Sequence, residues 1–303
     1  MSNSSTALQF PPPLKPGDLL RVVAPSGCLR NREVFEQGLE IWRSQGYQVQ
    51  LDPGYDDAFG HLAGTDPHRR QRLADAWQDE ECAGILCVRG GFGASRLLEQ
   101  WQWPHVATPK WLIGFSDITS LLWSLFGLGV GSVHGPVLTT LGAEPDWSVA
   151  RLCDLVAGRK LPPLQGQGWV GGKARGLLLP ANLTVATHLL KTRVQPDLDG
   201  VILAFEDIGE APYRLDRALT QWRMLGAFQG VRGIALGRFS SCENDPGVPT
   251  LTSEEVLRDR LCDLGIPIIA ALPFGHEGVN AALPVGAIVE IDGFNGTLTF
   301  ESI

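Results

Sequence analysis

The 303-residue chain carries 25 Lys and Arg against 33 Asp and Glu, a formal net charge of −8, and 44% of it is hydrophobic. That acidic balance argues against nucleic acid or an anionic membrane as a partner, while the apolar share is enough for a sizeable core. No apolar run reaches membrane-spanning length, Met1 to Gln9 lacks a basic region and an apolar core, and the six cysteines show no C-x-x-C pair and no zinc-ligand spacing, so a cytoplasmic protein with reduced thiols is expected.

Taken in order, Phe10-Pro11-Pro12-Pro13 is a stiff lead-in. Leu19 to Ala24 reads as a strand closed by Pro25-Ser26-Gly27. Val34 to Trp42 has one apolar helical face and stops at Gly46. Tyr47 to Leu51 alternates like a strand, and Gly54 to Thr65 reads as a surface loop. Arg69 to Gln78 is an amphipathic helix with Leu73, Ala76 and Trp77 inward. Gly84 to Val88 is continuously apolar, as expected of a strand covered on both faces. It runs into Arg89-Gly90-Gly91-Phe92-Gly93, a turn whose glycines allow positive φ and bring N–H groups close to a ligand. A dinucleotide fingerprint is excluded there, because the spacing is G-G-x-G rather than G-x-G-x-x-G.

The next strand, Trp111 to Phe115, passes without a loop into the helical pattern from Ile118 to Gly127. Ser116 stands at that corner, facing a helix N-terminus, as a nucleophile elbow requires, although Ile118 replaces the second glycine of G-x-S-x-G. A serine there also suits a plain N-cap. In an open parallel sheet the ligand crevice lies beyond the carboxyl ends of the strands, so Gly91 and Ser116 could share one. Gly131 to Val137 follows, with His134 near a turn. From Gly158 to Gly176 the composition shifts to Gly, Pro, Gln and Lys, which suggests a linker. The expected division is residues 1–160 as an N-terminal α/β domain, 161–172 as linker and 173–303 as a C-terminal domain.

In the second half, Val201 to Phe205 is a pure apolar strand ending in Glu206-Asp207, and a carboxylate there is costly unless paired or used. Tyr213 to Met224 has helical period, and Val231 to Leu236 reads as a strand. Ile266 to Leu272 ends at Pro273-Phe274-Gly275-His276, on a glycine-flanked turn. Ala287 to Phe300 finishes as a hairpin with turns at Asp292-Gly293 and Asn295-Gly296. Ser116, Glu206 and His276 thus stand at strand ends and could form a serine–histidine–carboxylate triad. His61, His68, His105, His134 and His188 rival the base, and Asp207 and Glu210 rival the acid.

The ordered motifs resemble the LD-carboxypeptidases and the related microcin-immunity hydrolases. The match runs through Ala24-Pro25-Ser26-Gly27, Ile85 to Gly93 with Arg96-Leu97-Leu98, Ile113 to Thr119, His134-Gly135-Pro136, Phe205 to Glu210 with Pro212 to Arg217, Pro273 to His276, and Leu283 to Gly286. The resemblance implies a glutamine-amidotransferase-like parallel-sheet domain followed by a smaller β-rich α/β domain. It implies a serine peptidase that needs no metal or cofactor and removes the terminal D-amino acid from an L-centre in murein peptides, as a homodimer. Carried over by position, Ser116 is the nucleophile, Glu206 the acid, His276 the base, and the N–H groups of Asp117 and Gly91 the oxyanion hole. The alternative is a microcin-immunity-type amidase acting on aminoacyl-nucleotide analogues. It would need an aromatic platform, for which Trp147 and Trp169 are candidates. One departure touches substrate fit: Pro180-Ala181-Asn182-Leu183 replaces a usual Gly-Gly-Asn-Leu, and Lys191-Thr192 a usual Gly-Thr.

Overall fold

The structure is a computed structural model that describes residues 8–243 and 249–301; most of the N-terminal stretch read above as lacking a signal lies outside them. In chain order the first elements are β1 (Leu19–Val23), α1 (Arg32–Ser44), β2 (Gln48–Leu51), α2 (Asp66–Gln78), β3 (Cys82–Cys87), α3 (Ala94–Leu97), β4 (Trp111–Gly114), α4 (Thr119–Phe126), β5 (Ser132–His134), α5 (Leu138–Leu141) and α6 (Asp146–Val156). There follow β6 (Leu164–Gln165), β7 (Gln167–Val170), β8 (Lys173–Asn182), α7 (Leu183–Leu189), β9 (Val201–Ile208), α8 (Pro212–Met224), β10 (Gly233–Ser240), α9 (Ser253–Leu261), β11 (Ile268–Ala270), β12 (Leu283–Val285), β13 (Ile288–Asp292) and β14 (Thr297–Phe300).

The chain divides into two compact units, one of residues 8–159 with 282–286, the other of residues 160–281 with 287–301. In the first unit the six-stranded sheet runs β12-β5-β4-β3-β1-β2, parallel throughout except for β12, which lies antiparallel to β5. Its strands are apolar runs because both faces are covered: Leu20, Val22, Ile85 and Leu112 are fully buried. The strand order reverses around β1, so the segments leaving β1, β3 and β4 open on the same edge of the sheet. Ser26, the glycine turn and Ser116 come from those three segments.

In the second unit an eight-stranded sheet runs β6-β14-β13-β8-β9-β10-β11-β7, with β8 to β11 parallel and the flanking strands antiparallel. Strand β9 extends through Ile208, so Glu206 and Asp207 lie within it rather than just beyond its end. The stretch 161–172, expected to be a linker, instead holds β6 and β7, which pair with β14 and β11. Its glycines serve close backbone approach: a Cβ on Gly168 would lie 2.1 Å from the Gly293 carbonyl oxygen. The second unit also surrenders residues 282–286 to the first, a return that composition did not reveal. Pro180 and Ala181 sit in the regular strand β8, facing Ala204 and Phe205 of β9. Pairing of β8 with β13 ends at Leu177, so a proline beyond it interrupts no ladder on that side.

Candidate active site

The elbow is a strained corner. Strand β4 ends at Gly114, and a single 3-10 turn, Ser116–Ile118, leads directly into α4. Ser116 adopts φ 62°, a left-handed conformation that non-glycine residues avoid. The cap position belongs to Phe115 and carries no side-chain cap bond, so the serine is not acting as an N-cap. Gly90 backs directly onto it: a methyl group there would lie 2.8 Å from Ser116 Cβ and 3.0 Å from Oγ. The glycine turn itself holds Gly91 at φ 108° and Gly93 at φ 130°.

Beside the serine, Asp117 is buried at 2% exposure. Its Oδ2 accepts from Ser26 Oγ at 2.5 Å and from the Ala94 N–H at 2.8 Å. Burial raises the carboxyl above the ordinary aspartate value, against those two bonds and the charge of Arg69, which pull it down. Arg69 is 1% exposed and donates to the carbonyls of Pro25 and, at 2.8 Å, Gly93. Neither Ser26 nor Arg69 carries a local sequence signal for this role, since their partners come from distant segments of the sheet edge.

In the second unit, His276 Nδ1 and Glu206 Oε2 are 2.6 Å apart. Glu206 is fully buried in β9, and Gly275, at φ 120°, lets the histidine turn come close: a Cβ on it would lie 3.0 Å from Glu206 Cβ. The turn is fixed by the Gly275 N–H donating to Asn280 Oδ1 at 3.0 Å and by Ser240 Oγ donating to the His276 carbonyl. Burial by itself lowers the His276 pKa, but the hydrogen bond and charge of Glu206, helped by Asp207 and Glu277, leave it above the ordinary value of 6.5.

The rival carboxylates are engaged elsewhere. Asp207 accepts from Asn182 Nδ2 at 2.9 Å and from Thr184 N–H and Oγ1 at 2.9 and 2.7 Å, clasping the start of α7 to β9. Burial pushes it up to about 6, against those bonds, and the neighbouring Glu206 charge adds to the rise. Glu210 lies 3.6 Å from Arg214, one helical turn on. Among the rival histidines, His134 is buried in β5 against the Phe115 ring, His61 lies beside Phe92, and His188 is on α7. Trp169 has the Arg258 guanidinium 3.9 Å over its ring, and Trp147 is exposed on α6. Cys87 is fully buried, and burial raises its thiol pKa. Among the described residues no three His, Cys, Asp or Glu side chains gather as a metal-binding set, and no helix is long and apolar enough to cross a membrane.

Ser116, Asp117 and Gly91 therefore belong to the first unit, and Glu206 and His276 to the second. The first set has the shape of an elbow with a flanking glycine turn. The second is an imidazole oriented by a carboxylate on its Nδ1.

Two family models match the chain, the LD-carboxypeptidase N-terminal domain over residues 20–135 and the LD-carboxypeptidase C-terminal domain over residues 175–291. A Synechocystis sp. protein, named only provisionally as a carboxypeptidase, is 59% identical over 290 residues, 96% of either chain. The murein tetrapeptide carboxypeptidase of Pseudomonas aeruginosa is 30% identical over 289 residues, covering 90% of this chain and 92% of that one. Among solved structures, MccF in complex with glutamyl sulfamoyl guanosine superimposes with a TM-score of 0.86 at 20% identity, over 97% of this chain and 98% of that one.

Proposed function

Because the chain belongs to the LD-carboxypeptidase family, we propose that it is a serine carboxypeptidase that removes the terminal D-alanine from the L-centre of murein tetrapeptides. The observation that carries this reading is the 2.6 Å bond that fixes the His276 imidazole on the buried Glu206, in a chain that also holds a serine at φ 62° on a strand–helix corner.

In this reading, His276 Nε2 takes the proton of Ser116 Oγ as the oxygen attacks the carbonyl carbon on the L-side of the scissile bond. Glu206, bound to Nδ1–H, holds that tautomer and stabilises the imidazolium. The N–H groups of Asp117 and Gly91 receive the charge that develops on the carbonyl oxygen. Collapse breaks the C–N bond, and the imidazolium returns its proton to the leaving D-alanine amine. Water, deprotonated by the same imidazole, then attacks the acyl-serine ester and releases the shortened peptide with a free carboxylate. A role in cell-wall peptide recycling in the cytoplasm, as a homodimer, completes the reading on the family resemblance; light scattering tests the dimer.

The test is incubation with a panel of murein tetrapeptides and mass spectrometry for free D-alanine. Ser116→Ala is expected to lose on the order of 10⁴-fold in turnover while melting as the wild type does. A serine-directed phosphonate should label Ser116 and no other serine. Retention of more than about a tenth of the activity by Ser116→Ala would remove the serine from the mechanism. If the tetrapeptides remain intact while glutamyl sulfamoyl nucleosides are hydrolysed, the microcin-immunity-type amidase is the correct reading.

A further inference from the structure

The carboxylate of Asp117 and the guanidinium of Arg69 do something the triad chemistry does not use. The Gly93 carbonyl accepts from Arg69 Nη1 at 2.8 Å, and the Ala94 N–H donates to Asp117 Oδ2 at 2.8 Å. Those two groups are opposite ends of a single peptide unit. The same pair of side chains grips the loop after β1: Arg69 donates to the Pro25 carbonyl, and Ser26 Oγ donates to Asp117 Oδ2 at 2.5 Å. Both gripping residues are buried, at 1% and 2% exposure. Arg69 is held in turn by Asp66, whose Oδ1 is 2.5 Å from Nη2. The turn cannot relax by substitution either, since a Cβ on Gly93 would lie 2.5 Å from Leu62 Cδ2 and 2.8 Å from Arg69 Nη1.

A peptide plane pinned at both ends cannot rotate, and the glycines before it are the flexible part of this segment. Left unpinned, Gly90 to Gly93 could flip amides among several conformations, and an oxyanion donor must be aimed before the charge appears. We propose that Asp117 and Arg69 are positioning residues that lock the Gly93–Ala94 peptide against the Pro25–Ser26 loop and thereby keep the glycine-turn amides aimed beside Ser116. This rests on the carboxypeptidase reading for its catalytic consequence, but not for the clamp itself.

The full-length chain is tested as wild type, Asp117→Ala, Asp117→Asn and Ser26→Ala. The readouts are hydrogen exchange of the amides in residues 90–98, kcat and KM on a murein tetrapeptide, inhibition by a murein peptide analogue with a boronic acid in place of the scissile carbonyl of the L-centre, and melting temperature. In Asp117→Ala, exchange of the Ala94 amide should accelerate by roughly tenfold or more. Its kcat should fall about 10²-fold with KM within about threefold, and the boronate, which forms a tetrahedral adduct, should weaken by a similar factor. Asp117→Asn should recover most of this, to within about fivefold of wild type, because the amide oxygen can accept both bonds. Ser26→Ala removes one bond only, and it serves if Asp117→Ala does not fold. It should show the same pattern at about three- to tenfold.

Unchanged exchange in both alanine variants overturns the clamp. So does an Asp117→Asn enzyme as slow as Asp117→Ala, which would assign the effect to charge rather than position. So does a loss carried by KM with boronate affinity intact. If the wild type neither cleaves tetrapeptides nor reacts with the phosphonate, the carboxypeptidase reading fails on its own, and the exchange measurement still decides the clamp.

Discussion

Ser116 is held at φ 62° in a half-buried corner, and His276 is held on Glu206 at 2.6 Å. For the histidine this has a measurable sign. Its folded pKa is raised above 6.5, so proton binding favours the folded state. That stabilisation is complete below about 6.5 and is lost as pH climbs through the raised value. In the proposed mechanism His276 is the general base and must be neutral, so kcat/KM should rise across that same climb, with its acid limb above 6.5. Glu206→Gln should move the limb to lower pH and cut turnover by roughly 10²- to 10⁴-fold. A pH–rate profile of both enzymes checks this, and an unmoved limb would detach Glu206 from the titration. Ser116, Glu206 and His276 stand out as candidates in the sequence because each follows an apolar run that announces a strand. Glu206 rather than Glu210 contacts His276, and a strand carries the first while Glu210 lies beside Arg214. Ser26 and Arg69 were not legible. They meet Asp117 and the glycine turn only through the order of strands in the sheet, which no local pattern encodes.

At the scale of elements, the strands of both sheets follow the apolar runs closely, and the errors have identifiable causes. Residues 161–172 have a linker's composition, yet they form β6 and β7. Glycine there signals contact rather than freedom: a Cβ on Gly166 would lie 2.2 Å from the Ala270 carbonyl oxygen, and one on Gly168 2.1 Å from that of Gly293. Limited proteolysis is therefore expected to spare residues 164–170, whose backbone is paired. Gly168→Ala should destabilise by about 1–3 kcal/mol, since backbone rather than a flexible side chain must move. Thermal unfolding of the variant checks this, and a melting temperature equal to the wild type's would return the stretch to linker status. Helix α9 did carry a sequence signal that composition obscured. Thr252 and Glu255 form a capping box, with Glu255 Oε2 accepting from the Thr252 N–H at 2.7 Å.

At the scale of the whole chain, the acidic balance and the absence of nucleotide or zinc motifs narrowed the chemistry, and the ordered strand-end motifs carried the family. What escaped was the path of the chain. Strand β12 pairs with β5 through Leu283↔His134, Pro284↔Val133 and Val285↔Ser132, and it belongs to the first unit. Buried Arg151 of α6 secures that return by donating to the Ala282 carbonyl at 2.9 Å, and burial lowers its pKa to about 10. Arg151→Ala leaves that carbonyl without its guanidinium donor, so a loss of about 2 kcal/mol is expected in denaturant titration. An unaltered midpoint would show that the return strand needs no such anchor.

The same strand sets an order of completion during synthesis. A ribosome has made β1 to β5, the elbow and the glycine turn by residue 134, but the strand that covers the outer edge of β5 is translated only at residues 283–285. Until then β5 presents an unpaired edge, open to whatever strand passes by. Nascent chains arrested before residue 282 should therefore remain protease-sensitive around β5, and chains arrested after the strand has cleared the exit tunnel should not. The half of the protein that emerges first is closed almost last.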